Sequence, residues 1–316
     1  MSIHPSLKYH QYTKITLGAS FNDIETIKKI VFTYSLAGAD CFDIGAREGL
    51  LKAAQEAIDM AADYCRELGR GFTKPRIIVS VDLSHDPHFR KAVVTEKDVR
   101  FDEKIRGVCP TEAIKEDRII ANLCIGCGNC IMAPYPIKLV AYSPVEDLAT
   151  LLDTLISSGA DGIEFHLGIL PIEAIDKNID IIRKYMDKDI SFSMGSQIHD
   201  ASKCRDILDH LHKQKIKDVL IQVDGKPMSA SDEYNSSIDS ILLAKTLMEY
   251  NKKKKYKFYF QLSGGTNQYT RRLAMEHDIE PHGVGWGTYA RKAIADATNI
   301  ETEVHKAKGL IFSWRK

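Results

Sequence analysis

Short apolar, β-branched runs alternate with longer stretches whose apolar positions recur every three to four residues along most of this chain. The first pattern is that of a buried strand and the second that of an amphipathic helix. Strands are expected at Lys14–Ser20, Cys41–Ala46, Arg76–Leu83, Gly162–Leu167, Ile190–Gly195, Asp218–Asp224, Phe258–Ser263 and Gly283–Tyr289. Helices are expected between them: Ile24–Leu36 stopped by Gly38, Glu48–Leu68 closed by Gly69, Val145–Ser158, Ile172–Met186, Ala201–Gln214, Ile238–Tyr250 and Gln268–Met275. About eight strand-then-helix units favour an α/β fold, a closed (β/α)8 TIM-like barrel. The rival, a doubly wound open sheet, needs a glycine-rich phosphate turn after its first strand. Here that turn reads Gly18-Ala19-Ser20-Phe21-Asn22 and lacks G-x-G-x-x-G.

The alternation breaks after the third strand. Residues 85–138 hold several prolines and a cysteine cluster but no long amphipathic helix, and are read as a ferredoxin-like insert between barrel segments 1–84 and 139–316. Without the insert the length is near the roughly 250 residues usual for such a barrel.

Composition narrows the function classes. Lys+Arg and Asp+Glu are both 43, so a strongly basic nucleic-acid binder and an acidic disordered chain are excluded, though a local patch is not. The basic run Lys252–Lys255 ends a helix, where cations suit the dipole. No apolar run approaches the roughly 18 residues that span a bilayer. Met1–Gln11 is polar, without the apolar core of a signal peptide, so a soluble cytoplasmic protein is expected. Seven cysteines, an odd number in a chain this long, make a disulfide scaffold a poor reading.

Four of those cysteines fall between Cys109 and Cys130. Cys124-x2-Cys127-x2-Cys130 has the spacing of a bacterial ferredoxin run, and Cys109-Pro110 matches the end of another. In two-cluster ferredoxins the fourth cysteine of each run ligates the other cluster. By that rule Cys109, Cys124, Cys127 and Cys130 serve one and the same [4Fe–4S] cluster. The positions expected to complete the second are Val99, Asp102, Ile105 and Pro134. A four-thiolate zinc site is the alternative, although zinc modules usually space their ligands as two C-x2–4-C pairs. A metal-free remnant is another. Cys41, Cys65 and Cys204 lie inside expected strands or helices and are read as core residues.

In a barrel the chemistry sits where strands end and the following loops begin. Ser20, Asp43, Arg47, Asp82, His85, Glu164, His166, Ser193, Gln197, Gln222, Asp224, Gln261 and Ser263 gather there. Glu164 and His166 share one side of a strand and, with Asp224, are the candidates for acid–base work; a hydrogen-bonded polar layer without catalysis is the other reading. The last two units carry glycine-rich turns. Gly264, Gly265, Thr266, Gly285, Gly287 and Arg291 are the candidate binding residues for a phosphate, flavin mononucleotide (FMN) or phosphorylated metabolite. The same glycines could instead serve only close turns.

Several of these segments together carry a resemblance. They are KITLGASFNDI with YSLAGADCFDIGA, Asp86–Lys91 (DPHFRK), the two cysteine runs, and DGIEFHLG from Asp161. The chain resembles, over nearly its whole length, the LdpA (light-dependent period) family, cyanobacterial iron–sulfur proteins linked to circadian clock input. The resemblance implies a sensor reporting cellular, photosynthetic redox state to clock or redox-signalling proteins. Family members carry fuller cysteine sets compatible with two clusters, and this chain departs from them in keeping one. A flavin- or phosphate-binding barrel oxidoreductase using the cluster for electron transfer is the alternative. A third reading is an interaction protein whose metal only folds the insert. A radical S-adenosylmethionine enzyme fits poorly, since that class spaces three ligands as C-x3-C-x2-C. Neither a nucleic-acid partner nor a membrane span is expected.

Overall fold

Eight parallel strands close into a barrel, interrupted once by a small antiparallel unit. The computed structural model describes residues 4–315 except 20–22, 85, 87–88, 110, 121–122, 125, 127, 133–135, 142–146, 196–198 and 227–230. The candidates Ser20, His85, Cys127 and Gln197 lie outside the described residues. The strands are β1 (Tyr12–Gly18), β2 (Cys41–Gly45), β3 (Arg76–Asp82), β4 (Arg90–Val94), β5 (Ile137–Ala141), β6 (Gly162–His166), β7 (Asp189–Gly195), β8 (Val219–Asp224), β9 (Phe258–Ser263) and β10 (Gly283–Trp286). The barrel runs β1-β2-β3-β6-β7-β8-β9-β10 and closes on β1, with Tyr12 opposite Gly283 and Lys14 opposite Gly285.

The helices are α1 (Pro5–Lys8), α2 (Ile24–Ala37), α3 (Glu48–Glu67), α4 (Glu103–Gly107), α5 (Leu148–Ser157), α6 (Pro171–Lys177), α7 (Ile179–Lys184), α8 (Ala201–Lys213), α9 (Ile238–Lys254), α10 (Thr270–Glu276), α11 (Thr288–Ala295) and α12 (Ile300–Trp314). Local chemistry sets many of their ends. Asp23, Asp200 and Asn299 accept the N–H three residues on at the starts of α2, α8 and α12, occupying donors that a helix start leaves unpaired. Gly38 ends α2 in the left-handed conformation, as expected of a glycine stop. The expected helix Ile172–Met186 is instead two, α6 and α7. Asn178 ends one and starts the next, and its side-chain amide donates to the Ala174 carbonyl, drawing the chain out of the helical path. The eighth strand stops at Trp286, short of Tyr289, because Gly287 already caps α11.

Strand alternation divides the barrel into two unlike faces. The outward face is apolar: Ile15, Phe42, Val79, Phe165, Phe192, Ile221, Phe260 and Trp286 are fully buried against the helices. Burying each such side chain contributes about 1.5–3 kcal/mol. The inward face is layered. At the strand N-termini, Tyr12, Cys41, Ile78, Leu220 and Tyr259 form an apolar plug sealed by Leu7 of α1. Above it lies a polar layer made by Lys14, Asp43, Ser80, Glu164, Ser191, Gln222 and Gln261, all buried. Barrel interiors usually hold branched apolar side chains; this one needs a closed set of hydrogen bonds and charges instead.

Between β3 and β6 the chain leaves the barrel. β4 and β5 pair antiparallel, Arg90 opposite Ala141, and α4 packs against them. Ala92, Phe101, Ile105, Ile114, Cys130 and Ile137 form an apolar cluster of their own, separate from the barrel core.

Candidate functional site

The polar layer centres on a residue that sequence reasoning passed over. Lys14 is fully buried in β1; its ammonium donates to Glu164 of β6 and stands 3.9 Å from Asp43 of β2. Ser191 donates to the same Glu164 oxygen at 2.8 Å, and Ser80 donates to Asp43. Glu164 and His166 do stand together, as their shared strand face implies, with His166 Nε2 3.3 Å from Glu164 Oε1. His166 Nδ1 lies 3.5 Å from Asp86, and Phe89 meets the imidazole edge-on. Asp86 is held in turn, because its N–H and that of Ser84 both donate to Asp82 at 2.9 Å. The network therefore roots the first residues of the insert in the barrel interior.

Burial and mutual charge fix the protonation of this set. Burial works against the Lys14 charge, but the Glu164 and Asp43 carboxylates outweigh it and hold its pKa up. Burial pushes Glu164 up, yet Lys14 and His166 carry it down to about 2. Burial likewise opposes charge on His166, and Asp86 and Glu164 reverse that, raising it well above its ordinary value. Asp43 is the surplus acid: burial and the Glu164 charge push it up to about 7 against the pull of Lys14. Asp224, at the end of β8, accepts from Ser193 of β7, and the Gln222 amide lies 3.5 Å from the same oxygen.

The glycine-rich turns show a packing role directly. Gly264 has φ +73°, and a Cβ there would lie 2.7 Å from the Gly225 nitrogen and 2.8 Å from its oxygen. Only glycine fits that turn. A Cβ on Gly285 would lie 2.5 Å from the Gln261 amide, so its absence makes room for Gln261 to donate to Gln222 at 2.9 Å. Gly265 also has positive φ, Thr266 donates to the Gly285 carbonyl at 2.5 Å, and Gly287 caps α11 without a side-chain bond.

Arg291, in the first turn of α11, reaches back across β1. It donates to the Leu17 carbonyl at 3.3 Å and to Thr288 at 2.9 Å, and burial pulls its pKa down to about 10. Arg47 stands on the other side of β1, just after β2. From the insert comes Lys91 of β4, only 4% exposed, whose ammonium donates to the Cys124 carbonyl at 2.5 Å. Burial pulls Lys91 down to about 8. The Cys124 sulfur opposes that shift, and the Arg291 and Arg47 charges add to it.

The insert also collects the cysteines. Cys130 is buried in the small apolar cluster, and Cys109 and Cys124 pack against it. Ala113 N–H donates to the Cys109 sulfur and Ala92 N–H to the Cys124 sulfur, both at 3.2 Å. Backbone N–H groups on sulfur are among the features that tune an iron–sulfur site. Among the described residues, no three His, Cys, Asp or Glu side chains already converge on one point. The donor chemistry fits an iron–sulfur group: soft sulfur ligands, backbone N–H groups on sulfur and an apolar shell. Cys41, Cys65 and Cys204 lie elsewhere, buried in the barrel assembly as expected. No helix among the described residues is long and apolar enough to cross a membrane.

Lys14 left a trace in the sequence, as a lysine two positions from Tyr12 and Thr16 within a β-rich run. The expected strand begins at Lys14, and the inward orientation of this lysine shows only once β1 begins at Tyr12.

The fold is shared widely. Tryptophan synthase from M. tuberculosis in its aminoacrylate-bound form superposes with a TM-score of 0.52 at 9% identity, covering 99% of each chain. Tryptophan synthase subunit alpha from Legionella pneumophila gives 0.50 at 12% identity, covering 99% of this chain and 96% of that one. At such identities these show the barrel alone. Light dependent period A from Synechococcus elongatus is 26% identical over 302 residues, which is 92% of this chain and 83% of that protein. Residues 154–312, just over half of the chain, match the Light dependent period A C-terminal domain family. The chain belongs to the Light dependent period A family.

Proposed function

We propose that this protein is a redox-responsive input component of a circadian clock. In this reading the insert senses redox state, and the barrel is the rigid body on which it is mounted. The observation that carries the proposal is the convergence of Cys109, Cys124 and Cys130 on one apolar cluster, with backbone N–H groups donating to two of the sulfurs. Together with Cys127 they would hold one [4Fe–4S] cluster, which when bound supplies one-electron redox chemistry. The chain's own part is to place N–H donors on two of the sulfurs, to exclude water with Phe101, Ile105, Ile114 and Ile137, and to fix the insert through Asp82, Asp86 and His166. Membership of a family whose relative is named for a light-dependent period supports the clock context.

Anaerobic purification with iron, sulfide, zinc and flavin assays tests the reading. About four irons per chain and a broad visible absorbance are expected, and Cys124→Ser should abolish both. A colourless protein with one zinc would overturn it. Binding to clock or redox-signalling partners should differ between the oxidised, reduced and Cys124→Ser forms; identical binding in all three would reduce the metal to a structural part.

A second reading is an oxidoreductase in which the barrel mouth takes a flavin or phosphorylated ligand. It is favoured by Arg291 beside the uncapped start of α11. Bound flavin in the purified protein would support it.

A further inference from the structure

Cys124 is gripped by a strand far from it in sequence. Two consecutive residues of β4 reach it: the Lys91 ammonium donates to its carbonyl at 2.5 Å, and Ala92 N–H donates to its sulfur at 3.2 Å. Cys109 is held differently. Its sulfur accepts from Ala113 and its carbonyl from Glu112, both within four residues of it. The grip on Cys124 is also rigid. Lys91 stands opposite Val140 of β5, and Phe89, just before β4, meets His166 of the barrel edge-on.

Lys91 is only 4% exposed. Lysine is rarely buried without a partner, and the Cys124 carbonyl is one here. Its neighbour Ala92 belongs to the apolar cluster that includes Cys130 and against which Cys109 and Cys124 pack. The ammonium therefore lies at the edge of the shell around the sulfurs. A cysteine's carbonyl oxygen and its sulfur are at most about 5 Å apart, so the charge stands within about 8 Å of the Cys124 sulfur.

We propose that Lys91 is a positioning residue, which seats Cys124 for the cluster and whose charge raises the cluster's reduction potential. The inference rests on the iron–sulfur reading of the cysteines. The step concerned is the addition of one electron from an external donor, with no bond made or broken. Reduction adds negative charge beside the ammonium, and net charge is among the features that set the potential of such a site. At an effective dielectric of about 20, a unit charge shifts such an equilibrium about tenfold from as far as about 12 Å. Lys91 is nearer than that to Cys124.

The test is anaerobic redox titration of the full-length, iron-loaded protein with dithionite, followed by electron paramagnetic resonance and visible absorbance. Wild type is compared with Lys91→Gln, Lys91→Met and Lys91→Arg, with iron content measured for each. Lys91→Gln keeps an N–H donor without the charge; it should hold its iron and be about tenfold harder to reduce, a midpoint lower by about 59 mV. Lys91→Met loses the donor as well, and should show the same lowering and release iron to a chelator faster. Lys91→Arg keeps charge and donors and should stay near the wild-type midpoint. Wild-type midpoints in Lys91→Gln and Lys91→Met would overturn the inference. So would an equal lowering in Lys91→Arg, or loss of iron from all three variants, which make packing rather than charge the cause. In each of those cases the wild type still carries about four irons and the redox reading stands. A wild type that binds zinc or no metal sinks both together.

Discussion

Replacing Lys14 by Met tests the buried network most directly. The substitution keeps an unbranched side chain of similar length and removes only the charge, so little of the effect comes from packing. Lys14 is fully buried and is the cation shared by Glu164 and Asp43. Removing one partner from a buried ion pair costs about 3–5 kcal/mol, because the other charge is left in a poor dielectric. That is roughly two to four powers of ten in the folding constant, a large share of the about 5–15 kcal/mol that holds a typical protein together. Trp286 and Trp314, both buried in the barrel assembly, report the first unfolding transition by fluorescence in urea. A pH series separates this mechanism from a packing defect. In the wild type Glu164 lies at about 2, below its ordinary 4.5; its contribution is present above pH 4.5 and is lost as pH falls toward 2. Without Lys14, burial dominates and Glu164 rises above 4.5, so the variant should gain stability on acidification from pH 7 toward 5, where the wild type does not gain from this group. Adding Glu164→Gln should recover a substantial part of the loss at pH 7. A Lys14→Met cost below about 1 kcal/mol, the range of an exposed pair, would refute the reasoning. So would a double variant in which the two effects simply add.

Three further outcomes follow from the same geometry. Asp43, raised to about 7 from an ordinary 3.8, binds its proton more tightly when folded, so it weakens the fold as pH rises from about 4 to 7. Asp43→Asn should remove that slope and be more stable than wild type at pH 8, by up to about 4 kcal/mol from roughly three pK units, with the gap closing near pH 4. Gly264→Ala puts a Cβ 2.7 Å from the Gly225 nitrogen at a positive φ. It should cost more than the about 1–3 kcal/mol of backbone strain alone, read as a fall in denaturation midpoint. If the insert holds the proposed cluster, chelating its iron should loosen the insert before the barrel, seen as faster amide exchange in β4 and β5 with β6–β9 unchanged, because the two apolar clusters are separate.

Much of the architecture was legible in the residues. The eight strands were readable because each is a run of apolar and β-branched residues, and the unit that breaks the alternation after β3 stands out by its prolines and cysteines. Asp and Gly at helix ends act over three or four residues, and α2 and α8 begin at Ile24 and Ala201, as the helical patterning predicts. The signals that failed were those that depend on a partner far along the chain. The short β4 and β5 strands pair across more than forty intervening residues, and the α6–α7 break turns on one asparagine. α12, which carries Trp314 against the barrel assembly, was not anticipated either.

The residues by themselves determined what each position offers: a strand with a lysine on one face, a carboxylate and an imidazole two apart, three cysteines in ferredoxin spacing. Closing the barrel decided what those groups do to one another. Lys14 and Glu164 are 150 positions apart and meet only because β1 and β6 face each other across a closed ring. That contact, in an interior that excludes water, sets the charge of Glu164 and His166 and leaves Asp43 near neutrality.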